Sequence, residues 1–80
     1  MIYKLKTPVG TFSIEPLRNG CGLYIDEKGD KTYLGFYLTP FMAASDVYDQ
    51  HTGYSPWDKV SKPEVLGLSP DELASWETYS

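Results

Sequence analysis

Few side chains in this 80-residue sequence have the chemistry of a catalyst. His51 is the only histidine, Cys21 is the only cysteine, and Asp58 is a carboxylate that the loop at Gly53 could bring toward the imidazole. Paired with either residue, His51 could act as a general base. A helix-end histidine and a small buried cysteine are the commoner roles of such residues. We therefore expect no catalytic residue and place an enzyme acting through His51 last among the hypotheses.

Metal and cofactor binding are also weakly indicated. One cysteine and one histidine cannot form a structural zinc site. The acidic run at residues 26–30 is too short for a calcium loop and contains Lys28, so a solvated turn is expected there. The glycine pattern that cradles phosphates is absent from the sequence. We expect neither a metal nor a cofactor.

Aromatic residues are the unusual component of the chain. They make up 15 % of it, as seven Tyr, three Phe and two Trp, and tyrosine prefers to keep one end in water. Since one small core does not easily bury twelve rings, some are expected at the surface. Trp57 either closes the edge of the core or anchors a partner, because tryptophan is enriched among interface anchors.

The net charge of −4 is unevenly distributed. Residues 1–38 carry five basic and four acidic side chains (+1), whereas residues 39–80 carry two basic and seven acidic side chains (−5). Phosphate binding needs clustered Lys and Arg, so a nucleic-acid partner is not favoured. An acidic half could imitate nucleic acid and inhibit a host factor, although a solvated acidic surface is commoner.

The sequence also bears on the compartment. The longest apolar run covers residues 41–44, far short of the about 20 residues of a membrane helix. Residues 1–4 show no apolar signal region, and a single cysteine excludes an internal disulfide. We expect a cytoplasmic protein without a membrane partner.

The first half of the chain is predicted to form an antiparallel β-meander. Apolar and polar residues alternate, as in strands that bury one face. Asn19-Gly20 is a strong hairpin signal because both residues accept positive φ, and Pro8 favours a type I turn over residues 7–10. The predicted strands cover residues 1–6, 11–16, 22–26 and 32–38.

The two predicted hairpins agree in register. A two-residue Asn19-Gly20 loop places Ile14 opposite Ile25. A four-residue loop over 27–30 pairs Asp26 with Lys31, which would form an ion pair. Both hairpins then direct their apolar residues to one face. On the predicted strand over 32–38, the residues expected to face inward are Leu34, Phe36 and Leu38.

The opposite face is predicted to carry three tyrosines, Tyr24, Tyr33 and Tyr37. They could form a flat aromatic patch that binds a partner. They could instead be structural, because a tyrosine beside Gly35 covers the packing that a strand glycine lacks.

The second half is predicted to begin with a helix over residues 40–52. Thr39 is a good N-cap, Pro40 suits the first helical position, and Gly53 ends the helix. This helix would cover the apolar face of the sheet. Its predicted inward residues are Phe41, Ala44, Val47, Tyr48 and His51.

A short C-terminal helix is predicted over about residues 70–77. Ser69 and Glu72 have the spacing of a capping box, while Leu73 and Trp76 share a face and would dock the helix. The proline-rich segment at 54–68 connects the two helices.

Segments at 7–12 (TPVGTF), 52–58 (TGYSPWD) and 73–77 (LASWE) together resemble a loose group of small uncharacterised bacterial proteins. Members of that group begin with a β-meander and end in a similar Leu-x-x-Trp segment, and some are carried on mobile gene cassettes. The resemblance spans nearly the whole chain. It implies a bacterial, cytoplasmic, single-domain protein, and it carries over no activity and no site residues.

Together these patterns predict one α+β domain over residues 1–80. A three- or four-stranded antiparallel meander packs on one helix, and a short C-terminal helix follows. The favoured function is a small binding module whose partner is a protein or a second copy. The alternatives are a binder of single-stranded nucleic acid through sheet tyrosines and an acidic mimic of nucleic acid. The candidate binding residues are Tyr24, Tyr33, Tyr37 and Trp57.

Overall fold

A computed structural model describes residues 1–59 and 73–79. It contains an antiparallel sheet with one main helix on one face, which confirms the α+β prediction. The strands are β1 (Ile2–Thr7), β2 (Gly10–Leu17), β3 (Gly20–Glu27), β4 (Asp30–Tyr37) and β5 (Glu77–Tyr79). The helices are α1 (Pro40–Tyr48) and the one-turn α2 (Ser55–Asp58), and a 3-10 turn covers Leu73–Ser75.

The sheet has the order β4-β3-β2-β1-β5. The described residues therefore form five strands rather than the predicted three or four, because β5 pairs antiparallel with β1. In place of the predicted C-terminal helix, the described part of residues 70–77 is a 3-10 turn followed by a strand. Extended structure is favoured there because Thr78 and Tyr79 have high β propensity and because Lys6 lies 3.9 Å from Glu77 across the strand pair.

The β2–β3 hairpin turns one residue earlier than predicted. Leu17 pairs with Gly20, so the loop is Arg18-Asn19, and Asn19 takes the positive φ of 68°. Ile14 consequently lies opposite Leu23 rather than Ile25. The observed register differs from the predicted one by two residues. Because side chains alternate with a period of two, the apolar residues still share one face.

The β3–β4 hairpin starts as predicted and then changes register. Asp26 pairs with Lys31 and Tyr24 with Tyr33, but a β-bulge between Leu23 and Tyr24 shifts the remaining pairs by one residue. An extra residue reverses the alternation of the side chains that follow it.

The bulge explains why three predicted orientations in and after β4 are wrong. Tyr37 pairs with Cys21 and faces the helix, whereas Phe36 pairs with Gly22 on the opposite face. Phe36 is 47 % exposed, and Leu38 is also exposed. The prediction that Phe36 and Leu38 point inward and Tyr37 outward is thus corrected.

Helix α1 has the predicted start and an earlier end. The Thr39 side chain accepts a hydrogen bond from the Met42 amide at 3.3 Å. The helix ends at Tyr48 rather than at residue 52, since Gln50 takes a positive φ of 59° before Gly53 is reached. A shorter helix presents a shorter apolar stripe to the sheet.

The stripe of α1 that faces the sheet is made of small residues. Ala43, Ala44 and Val47 are fully buried. Phe41, predicted to face inward, is exposed, because at about 100° per residue it lies roughly a third of a turn away from the centre of that stripe. Small side chains let the helix approach β3 and β4 closely.

Trp57 lies at the centre of the core, with no exposed surface. Its Nε1 donates to the Val47 carbonyl at 2.8 Å, and its ring meets Phe12 edge-to-face at 5.2 Å. Near the C-terminus Leu73 and Trp76 are also buried. The other buried apolar residues are Leu5, Phe12, Ile14, Cys21, Leu23 and Ile25, with the small residues of α1.

A membrane-spanning helix is not found in the described part of the chain, where each helix is too short or too polar to cross a bilayer.

Candidate functional site

The sheet face opposite α1, here called the outer face, carries a group of large apolar side chains. Leu17, Tyr33 and Phe36 are 39 %, 53 % and 47 % exposed, and Tyr24 is half-buried between them. They come from three neighbouring strands, with Tyr24 opposite Tyr33. We call these four residues the aromatic face.

Two glycines of β3 let the aromatic rings lie close to the backbone. A Cβ at Gly20 would be 2.4 Å from Cζ of Phe36, and one at Gly22 would be 3.0 Å from Cε1 of Tyr24. The same Cβ at Gly22 would also be 2.8 Å from Cδ1 of Leu17. Because real side chains do not approach so closely, each glycine is a place where a neighbouring side chain covers the strand. The result is a surface on which apolar side chains lie directly against the strand backbone.

The two tyrosines of the aromatic face pack against each other and against a lysine. Their ring centroids are 5.5 Å apart with the ring planes tilted by 59°. The Lys31 ammonium lies 4.8 Å from the centre of the Tyr24 ring, in cation–π geometry. Lys31 continues across that ring to form an ion pair with Glu15. The predicted Asp26–Lys31 ion pair is therefore replaced by one to Glu15.

Glu15 is the charged centre of the outer face. Its carboxylate accepts a hydrogen bond from the buried Ser13 hydroxyl at 2.8 Å, besides its pairing with Lys31. Partial burial acts to raise the pKa of Glu15, but the hydrogen bonds from Lys31 and Ser13, with the charges of Lys31 and Lys4, outweigh it and lower that pKa. The carboxylate is thus ionised and paired at neutral pH.

Tyr37 lies on the other side of the sheet from the aromatic face. Its hydroxyl donates to Oδ2 of Asp46 on α1 at 2.7 Å. Burial, the hydrogen bond to Asp46 and nearby negative charge raise the pKa of Tyr37 well above its usual value. Its ring is also in van der Waals contact with the position that a Gly35 side chain would occupy, with Cε2 at 3.7 Å.

The structure brings together two of the four candidate binding residues, Tyr24 and Tyr33. Tyr37 joins β4 to α1, and Trp57 is in the core. Sequence reasoning missed Phe36 and Leu17. The signal for Phe36 was the Gly20-x-Gly22 spacing, because two bare positions on one face of a strand need a neighbouring ring to cover them.

The carboxylate of Asp58, weighed as a catalytic partner, holds a loop in place. It accepts hydrogen bonds from the Thr52 hydroxyl at 2.8 Å, the Thr52 amide at 3.1 Å and the Gly53 amide at 2.9 Å. The Cys21 thiol is buried, which raises its pKa, and it donates to the Tyr37 carbonyl at 3.5 Å. Both side chains therefore have structural roles, and His51 is exposed on the surface.

Metal-ligating residues do not gather within residues 1–59 and 73–79, where no three His, Cys, Asp or Glu side chains lie close enough to hold an ion.

Comparison with other proteins adds no family. Neither protein-family models, nor curated proteins, nor solved structures match this chain. Its function must be inferred from its own surface.

Proposed function

We propose that this chain is a small protein-interaction module that binds its partner through the aromatic face. The observation that carries the proposal is the exposure of Leu17, Tyr33 and Phe36 on one face of the sheet. Single exposed apolar side chains are normal, but a contiguous group of them marks interaction surfaces. Tyrosine and phenylalanine are also enriched in the centres of interfaces.

The charges on the outer face support a protein partner with a weakly charged surface. Glu15 is paired with Lys31, and Lys6 lies 3.9 Å from Glu77. Covering such ion pairs costs less than covering an unpaired charge. The partner therefore needs apolar and aromatic groups rather than a complementary charge.

Single-stranded nucleic acid is the second candidate, and the geometry favours it less. Bases stack on ring faces that are open to solvent. Lys31 lies over Tyr24, and the Tyr24 and Tyr33 rings are tilted toward each other. The net charge of −4 also opposes phosphate binding. For the acidic-mimic alternative, Glu64, Asp71 and Glu72 lie outside the described residues.

Site-specific photo-cross-linking tests the proposal directly. A benzophenone amino acid replaces Tyr33 or Phe36 in the chain expressed in cells, and Phe41 is the control because it is an even more exposed ring on α1. We expect protein adducts from positions 33 and 36 and not from 41. Adducts that nuclease removes would favour nucleic acid instead. No adduct at 33 and 36, or equal adducts at 41, would overturn the proposal.

A further inference from the structure

We infer that the partner of the aromatic face is a second copy of this chain, packed face to face about a two-fold axis. The inference rests on the proposed function and names its partner. In such an interface the same surface of both copies meets itself. Each aromatic face would then cover the other, with the α1 layers on the outside of the dimer.

The distribution of charge favours this arrangement over other ways of pairing two acidic copies. Residues 1–38, which form four of the five strands, carry +1. In the helical layer over residues 40–59, Asp46, Asp49 and Asp58 outnumber Lys59, which gives −2. Packing the outer faces together places the two acidic layers at opposite ends of the dimer. Packing through α1 would instead bring like charges into contact.

The edges of the sheet are less suited to a second copy than its face. The β-bulge at the pairing of β3 with β4 interrupts one edge strand, and bulges at sheet edges hinder further strand addition. At the other edge, β5 has three residues, Glu77–Tyr79, which offer few backbone hydrogen bonds. Neither described edge is a long, regular template for a second copy.

The size of the face matches a small dimer interface. The five strands contain 33 residues, which at about 3.3 Å of rise and about 4.8 Å between strands gives the outer face roughly 520 Å². Two such faces together reach about 1,050 Å², within the range of weak, transient interfaces. We therefore expect a reversible dimer that dissociates on dilution.

Sedimentation equilibrium over low-micromolar to near-millimolar concentrations is the test. We expect the wild-type mass to rise from 9.0 kDa toward twice that value. Phe36→Glu should weaken the dimer at least about tenfold, since it places an unpaired charge among the apolar side chains of the interface. Leu17→Lys is the second variant, in case Phe36→Glu does not fold. Phe41→Glu is the control and should dimerise like wild type.

Two results would overturn the inference. One is a wild-type mass that stays at 9.0 kDa throughout the series. The other is a dimer that Phe36→Glu and Leu17→Lys leave intact, or that Phe41→Glu disrupts, with circular dichroism showing all variants folded. If the chain is monomeric but position 33 still cross-links to another protein, the inference fails and the proposed function stands. A chain that is monomeric and also gives no cross-linked adducts at positions 33 and 36 would remove the proposed function as well.

Discussion

At the scale of single residues, Tyr37 is placed by one hydrogen bond. Its hydroxyl donates to Asp46 at 2.7 Å, and this bond joins the last residue of β4 to α1. A hydrogen bond to a charged group contributes about 1.5–3 kcal/mol when it is not fully exposed. The bond accounts for the absence of Tyr37 from the aromatic face and gives the residue a role in stability.

Replacing Tyr37 by phenylalanine should lower the free energy of unfolding by about 1–2 kcal/mol, because Asp46 loses its donor. Since the pKa of Tyr37 is raised in the folded state from an ordinary 10.0, its contribution is fully present below that pH and is lost at higher pH. Urea denaturation at pH 7 measures the change.

Tyr33→Phe is the matched control for this change, because the Tyr33 ring is more than half exposed. Its removal of a hydroxyl should alter the unfolding free energy by less than about 0.5 kcal/mol. Equal losses in the two variants would contradict the role assigned to the Tyr37–Asp46 bond.

At the scale of elements, local signals in the sequence predicted most of the architecture. Turn residues located the hairpins, Thr39 capped α1 as expected, and alternation assigned the correct face in β2 and β3. These features depend on neighbouring residues, so one segment of sequence contains the information. The aromatic face was predicted in part for the same reason.

The elements that the sequence did not predict depend on distant contacts. The bulge in β4 lets Tyr37 reach Asp46 and turns Phe36 outward. The sequence of β4 alone does not reveal the bulge, because the contacts that accompany it are made with β3 and α1. Likewise, β5 forms because β1 offers a free edge more than 70 residues earlier in the chain. The alternation of apolar and polar residues assigns faces correctly only in a strand without a bulge.

The loop between α1 and α2 depends on one carboxylate, so Asp58→Ala tests an element rather than a single contact. The change removes the acceptor of three hydrogen bonds, which the Thr52 hydroxyl and the amides of Thr52 and Gly53 donate to the carboxylate. We expect a loss of about 2 kcal/mol in unfolding free energy. Amide hydrogen exchange should also become faster at residues 52 and 53.

Asp49→Ala is the control for the loop, because Asp49 is an exposed acid just after α1. It should leave exchange at residues 52 and 53 unchanged. Exchange there that is insensitive to Asp58→Ala would show that the carboxylate does not hold the loop.

At the scale of the whole molecule, the chain has two unlike sides. One side is the helical layer, which buries Trp57 and carries acidic residues. The other is the outer face, which has Leu17, Tyr33 and Phe36 exposed and carries the Lys31–Glu15 and Lys6–Glu77 ion pairs. The surplus of aromatic residues in so short a sequence is thus divided between a core and a surface. The proposal that the chain binds through its sheet rests on that division.

An amide NMR dilution series tests this claim most directly, because it reports every described residue at once. On dilution from near-millimolar to low-micromolar concentration, we expect shift changes centred on Gly22, Tyr24, Tyr33 and Phe36, with α1 unchanged. Shift changes centred on α1, or none at any concentration, would contradict the assignment of the aromatic face as the surface through which two copies meet.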